Sequence, residues 1–162
     1  MRWGWCAGEF TLRIDSSAIE SGGKQYSIWV LEELKELLVC EDCIGVGATL
    51  IPQLGEDAGE VITESFIVKD KIEGLAAQNI DPAEIFGNLD YRAGLEFLPI
   101  QKLAEIEGVR YDLQVSQMLL NFDSPIGLLW AITPSNYSVS AQESLSSLAD
   151  ILSNSVYSVK MR

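Results

Sequence analysis

Histidine is absent from all 162 residues, and that absence removes more chemistry than any motif supplies. Imidazole is the side-chain base nearest neutrality, the commonest zinc and haem ligand, and the partner of the nucleophile in Ser-His and Cys-His pairs. Most hydrolase and metalloenzyme designs are therefore closed to this chain. Positive charge is scarce too: 11 Lys and Arg stand against 24 Asp and Glu, a net charge of −13 with an isoelectric point near 4.2. That field repels phosphate backbones and anionic headgroups, so no nucleic-acid partner is expected. No apolar run reaches about 18 residues, and the N-terminus lacks the basic-then-apolar layout of a secretory leader. The expectation is a soluble body that meets a membrane only if an anchor lies upstream of Met1. Three cysteines, an odd number, suit a reducing compartment, so a cytoplasmic or stromal location is expected.

What is present suits a folded domain. Hydrophobic residues make up 48% and charged residues 22%, inside the globular range. A chain of this length buries on the order of 70% of its unfolded surface without disulfides or metals. One domain over residues 1–162 is expected, with a strand-and-turn extension over residues 1–24 and a core over residues 25–159.

The stretch EFTLRID, residues 9–15, alternates Phe10, Leu12 and Ile14 with polar neighbours and predicts a half-buried strand. SSAIESGGK then carries Gly22 and Gly23 and predicts a turn. Over residues 25–39, Tyr26, Val30, Leu34, Leu37 and Leu38 share one helical face, and Glu32, Glu33, Lys35 and Glu36 are left for solvent. CIGVGATLIP and VITESFIVKD predict two antiparallel strands joined across the acidic, glycine-containing QLGEDAGE. Asp81, Pro82 and Glu84 form a helix-start signature. Residues 90–111 are ambiguous, interrupted by Gly94, Pro99 and Gly108. DLQVSQMLLNF and GLLWAIT predict two more strands. Ser140 with Glu143 predicts a capped final helix, whose stripe is Leu145, Leu148, Leu152, Val156 and Val159. The order implies an α+β fold, an antiparallel sheet with the N- and C-terminal helices packed on one face.

Candidate chemistry is thin. Cys40 and Cys43, in VCEDCIG, have redox spacing, but the first would follow a helix C-terminus beside Glu41 and Asp42, where thiolate is disfavoured. A structural role is the preferred reading, with a reversible disulfide as the alternative. Zinc would need two more ligands, and only distant Cys6 remains. Ser21 and Lys24 in SGGK match an acylase spacing, but two glycines would break the turn that aligns the pair. Glu56, Asp57 and Glu60 lack the ligand alternation of a calcium loop.

Charge placement is more informative. Residues 113–159 contain three acidic residues and no basic ones, and the polar positions of the final helix are largely Ser144, Ser146, Ser147, Ser153 and Ser155. Small uncharged side chains permit close approach, so Ser144, Ser147, Leu148 and Leu152 are a candidate helix interface for a protein partner or a homodimer through the terminal helices. In MRWGWC, Arg2, Trp3 and Trp5 are residue types found at headgroup depth and form a candidate membrane-proximal patch.

The stretch SPIGLLWAITPSNYSVSAQESLSSLADILSNSV, residues 124–156, resembles the end of GAF domains: a hairpin into a Gly-Leu-Leu strand, a loop, then a serine-capped helix. The resemblance covers most of residues 25–159 and implies a GAF-like sheet that can hold haem or another apolar ligand over one face. The chain lacks the Asn-Lys-x-x-Asp signature associated with cyclic nucleotides and the Cys-His pair that anchors many bilins. RWGWCAGEF ahead of such a body resembles the soluble part of the B-type proteins in the cofactor assembly of complex C family of cyanobacteria and chloroplasts. That resemblance implies a non-catalytic assembly or scaffold module at the thylakoid surface, assisting covalent haem attachment to cytochrome b of the photosynthetic cytochrome bf complex. It transfers no catalytic residue. The alternative is a small-ligand-sensing GAF domain of a signalling protein.

Overall fold

The computed structural model describes residues 16–38, 44–55, 58–79, 100–120 and 124–160. Two helices come first, α1 (Ser16–Ser21) and α2 (Gly23–Leu38), followed by β1 (Gly45–Leu50), β2 (Ile62–Ile67) and α3 (Lys69–Ala77). Then come β3 (Ile100–Ile106), β4 (Val109–Leu120) and β5 (Ser124–Pro134). A single 3-10 turn, Ser135–Tyr137, leads into the long helix α4 (Ser138–Lys160). The five strands form one sheet in the order β2-β1-β5-β4-β3, antiparallel at every pairing. The fold is α+β, as the order of sequence patterns implies.

One face of the sheet carries α1, α2 and α4. Ile19, Tyr26, Val30, Leu31 and Leu34 descend from the first two helices onto Val46, Ala48 and Leu50 of β1. Leu145, Leu148, Leu152, Val156 and Val159 descend from α4 onto Met118, Leu129 and Ala131. The spacing of three and four in each stripe is the reason these segments are helices: it puts every large apolar group on one side. The second face holds a smaller cluster, in which Leu75 of α3 meets Ile106, Tyr111, Leu113, Val115, Leu128, Trp130 and Ile132. Only α3, among the described helices, packs there.

Four local expectations change. Residues 16–21, expected as a turn, are helix α1; one and a half turns are too short for periodicity to reveal, yet Ile19 is buried. The predicted break itself is at Gly22 and Gly23, whose φ values of 65° and 57° lie in the left-handed region. A Cβ on Gly22 would stand 1.7 Å from the Leu54 carbonyl oxygen, so the α1–α2 joint and the loop after β1 touch backbone to backbone. The strand expected through Asp70 stops at Ile67, and α3 follows at Lys69, with Gly74 close against Ile106.

The ambiguous stretch contains β3, joined to β4 by a two-residue turn at Glu107 and Gly108, both with positive φ. A register shift between Lys102 and Ala104 breaks its alternation. The final helix starts at Ser138 rather than Ser140, because the 3-10 turn runs straight into it. The strand expected over residues 9–15 and the helix start at Asp81, Pro82 and Glu84 lie outside the described residues.

Candidate functional site

Among the described residues a cluster of hydrogen-bonded polar side chains lies inside the molecule, between β4 and α4. Along β4 the polar residues facing α4 include Asp112, Gln114 and Ser116, all buried. Opposite them α4 places Ser138, Gln142 and Ser146 at intervals of four, on the helix side next to its apolar stripe. The Ser138 hydroxyl donates to Asp112 Oδ2 at 2.5 Å. Gln114 Nε2 donates to Ser138 Oγ at 3.2 Å and to the Asp112 carbonyl at 3.1 Å, while its Oε1 accepts from the Thr133 hydroxyl at 3.1 Å. A second knot follows: Gln142 Nε2 donates to the Val115 carbonyl at 2.8 Å and to Ser116 Oγ at 3.1 Å, and the Ser146 hydroxyl donates to Gln142 Oε1 at 3.2 Å. One helical segment further on, Leu119 N–H donates to Ser153 Oγ, whose hydroxyl donates to the Ala149 carbonyl.

Asp112 sits beside the first turn of α4, where the helix dipole favours negative charge. Chemically this cluster is a lock. Each of its side chains has a hydrogen-bond partner within the seam.

The predicted interface on α4 divides accordingly. Leu148 and Leu152 are 1% and 0% exposed and belong to the core, so they cannot meet a partner. Ser147 is exposed and Ser144 half-buried; these two remain on the surface. Ser146 and Ser153, with the same small uncharged side chains, point at β4 instead. Serine on this helix therefore marks an internal seam as well as a low-charge exterior. Cys40, Cys43, Arg2, Trp3 and Trp5 lie outside the described residues, as do Glu56 and Asp57.

On the second face, Trp130 is fully buried and lies across Gly47, where a Cβ would come within 2.0 Å of its ring. That position is a glycine because the indole takes the side-chain space beside it. Tyr26, on the first face, carries a buried hydroxyl with no hydrogen-bond partner, and burial drives its pKa well above the ordinary 10.0. Among the described residues no cluster of acidic and thiol groups could hold a metal ion, and no helix is long and apolar enough to cross a membrane.

The remaining unusual surface is the outer edge of β2. Thr63 and Ser65 are exposed there, and Val61 just before it is 53% exposed. Sequence alternation identified this strand but not its position; that it lies at an edge follows only from the strand order. Comparison of the chain with family models, with curated proteins and with solved structures finds no match.

Proposed function

We propose that this chain is a non-catalytic interaction module that works in assembly, binding a protein partner by its surface. The observation that carries the reading is how the polar groups are allocated. Asp112, Gln114, Ser116, Thr133, Ser138, Gln142 and Ser146 are bonded to one another in the β4–α4 seam, while among the described residues no strand pairs with the outer rim of β2. Polar side chains that hold a helix in register stiffen a platform; a strand edge on that platform is a surface that main-chain pairing can use.

The specific form of the proposal is the one the N-terminal resemblance suggests: a scaffold at the thylakoid surface that assists covalent haem attachment to cytochrome b of the cytochrome bf complex. The test is affinity capture of the tagged full chain from detergent-solubilised membranes of its own organism, with mass spectrometry of proteins and small molecules. Recovery of cytochrome b with its maturation factors is the expected result. Recovery, without cytochrome b, of a stoichiometric small molecule, haem included, or of a signalling kinase, overturns the scaffold reading in favour of a ligand sensor.

A further inference from the structure

The two edges of the sheet are finished differently. On β3 the register shifts between Lys102 and Ala104, Lys102 and Glu105 are exposed, and the Glu105 carbonyl accepts from the Gln78 side-chain amide just beyond α3. Bulges, charges and covering groups are the devices that keep an edge from recruiting another strand. Among the described residues β2 has no bulge and no covering group: its register is regular from Ile62 to Ile67, it contains no Lys, Arg or Pro, and its one charge is Glu64. The phase of the ladder fixes which groups point outward. Val68 N–H donates to the Ile44 carbonyl at 2.7 Å, and on the other side of β1 the Ile51 N–H donates to the Ile126 carbonyl at 2.9 Å. Even-numbered residues of β2 therefore turn their main chain toward β1, and Thr63, Ser65 and Ile67 turn theirs away. Among the described residues no strand pairs with them.

We propose that the outer edge of β2 is the docking site for an extended, basic segment of a partner protein, which adds to the sheet as a further strand on the main chain of Thr63, Ser65 and Ile67. The proposal rests on the interaction-module reading and names its surface and the chemistry of its partner. Charge selects the occupant. The chain carries −13 overall. Glu64 lies on the strand itself, exposed Glu60 precedes it, and exposed Glu32 flanks it from α2. Among the residues whose side chains are described, the cation near this edge is Lys35, already engaged 3.5 Å from Glu32 and 4.5 Å above the Phe66 ring. Glu64 and Phe66 share the α2 side of the sheet with Val46 and Ala48, so a lysine or arginine of an added strand placed on that side would stand beside Glu64. A second copy of this chain would instead bring the same acidic edge against itself.

The experiment titrates the full chain with a short synthetic peptide of alternating valine and lysine, and with its valine-glutamate counterpart, following backbone amides by NMR. The lysine peptide should bind, shift the amides of Thr63, Ser65 and Ile67 most, and weaken as salt is raised. The glutamate peptide should not bind. Ser65→Pro deletes an outward N–H and leaves the β1 ladder intact, so it should keep the parent melting temperature and lose about tenfold in affinity. If that variant does not fold, Thr63→Lys with Ser65→Lys blocks the same edge by charge and should lose binding equally. Unchanged binding by a folded edge variant, equal binding of both peptides, or no binding at all overturns the proposal. So does a parent dimer that Ser65→Pro converts to monomer, since the edge then belongs to a second copy. Capture of cytochrome b unaffected by Ser65→Pro would sink the edge and spare the module; capture of a small molecule alone would sink the module itself.

Discussion

Helices α2 and α4 lie on the same face of the same sheet, yet they are held to it by different physics. Under α2, Tyr26, Val30, Leu31 and Leu34 meet Val46, Ala48 and Leu50, a seam of hydrocarbon. Under α4 an apolar stripe runs beside a row of hydrogen bonds from Ser138, Gln142, Ser146 and Ser153 to β4. Apolar burial is non-directional and tolerates sliding, whereas each hydrogen bond requires one particular register. The α2 seam therefore supplies cohesion, and the α4 seam supplies, in addition, a fixed alignment of the long helix along β4.

Leu152→Asp places a charge at a fully buried position in the apolar stripe, with no partner for it. The whole domain, not only α4, should lose its cooperative unfolding transition by calorimetry. Leu34→Ala tests the α2 seam alone. It should cost about 2–5 kcal/mol in urea denaturation, at the upper end if the surrounding groups cannot close on the space. Gln114→Leu tests the α4 seam. It roughly keeps volume but takes the side-chain acceptor from the Thr133 hydroxyl, leaving it the Pro134 carbonyl at 3.3 Å, and removes one donor to Ser138. A loss of about 1–3 kcal/mol is expected. A sharper readout is hydrogen exchange: protection should fall at the start of α4 and at β4 and stay at its parent level in α2. Uniform loss across both helices would show that the polar row carries no separate alignment.

The apolar seam was legible in the sequence and the polar seam was not, for a physical reason. Leu, Val and Ile recurring at helical spacing have one favourable destination, so Val30, Leu34, Leu145, Leu148, Leu152, Val156 and Val159 could be assigned to a core unaided. Serine and glutamine have two destinations, water or a matched set of partners, and Ser146 differs from Ser147 only in what the fold places opposite it. Gln114 carried a faint signal: DLQVSQM alternates, and its polar positions would face solvent on an exposed strand. The strand order puts β4 second from the edge with α4 across it, which buries Asp112, Gln114 and Ser116. The same kind of information, strand order rather than strand identity, separates the β2 edge, unpaired among the described residues, from the guarded one at β3. The β3 strand itself escaped notice because its bulge destroys the alternation by which strands are recognised.

The smallest effect sharpens the contrast by reversing sign. Tyr26 lies in the hydrocarbon seam with a buried hydroxyl that has no partner, a polar atom of the kind that the α4 seam satisfies. Tyr26→Phe removes it and should stabilise the protein by up to about 1 kcal/mol near neutrality, the desolvation cost of an unpaired hydroxyl less a small void. The pH dependence gives an independent check. Burial raises the folded-state pKa above the unfolded value of 10.0, so the native state keeps its proton while the unfolded state releases one. Stability of the parent is therefore unaffected by this group below about pH 10 and declines as pH rises beyond it. The phenylalanine variant should show a shallower alkaline decline, with the two curves parallel at neutral pH and diverging above about pH 10. A variant less stable than the parent at neutral pH would mean that the hydroxyl is satisfied after all, and that the α2 seam, like the α4 seam, is pinned by a hydrogen bond.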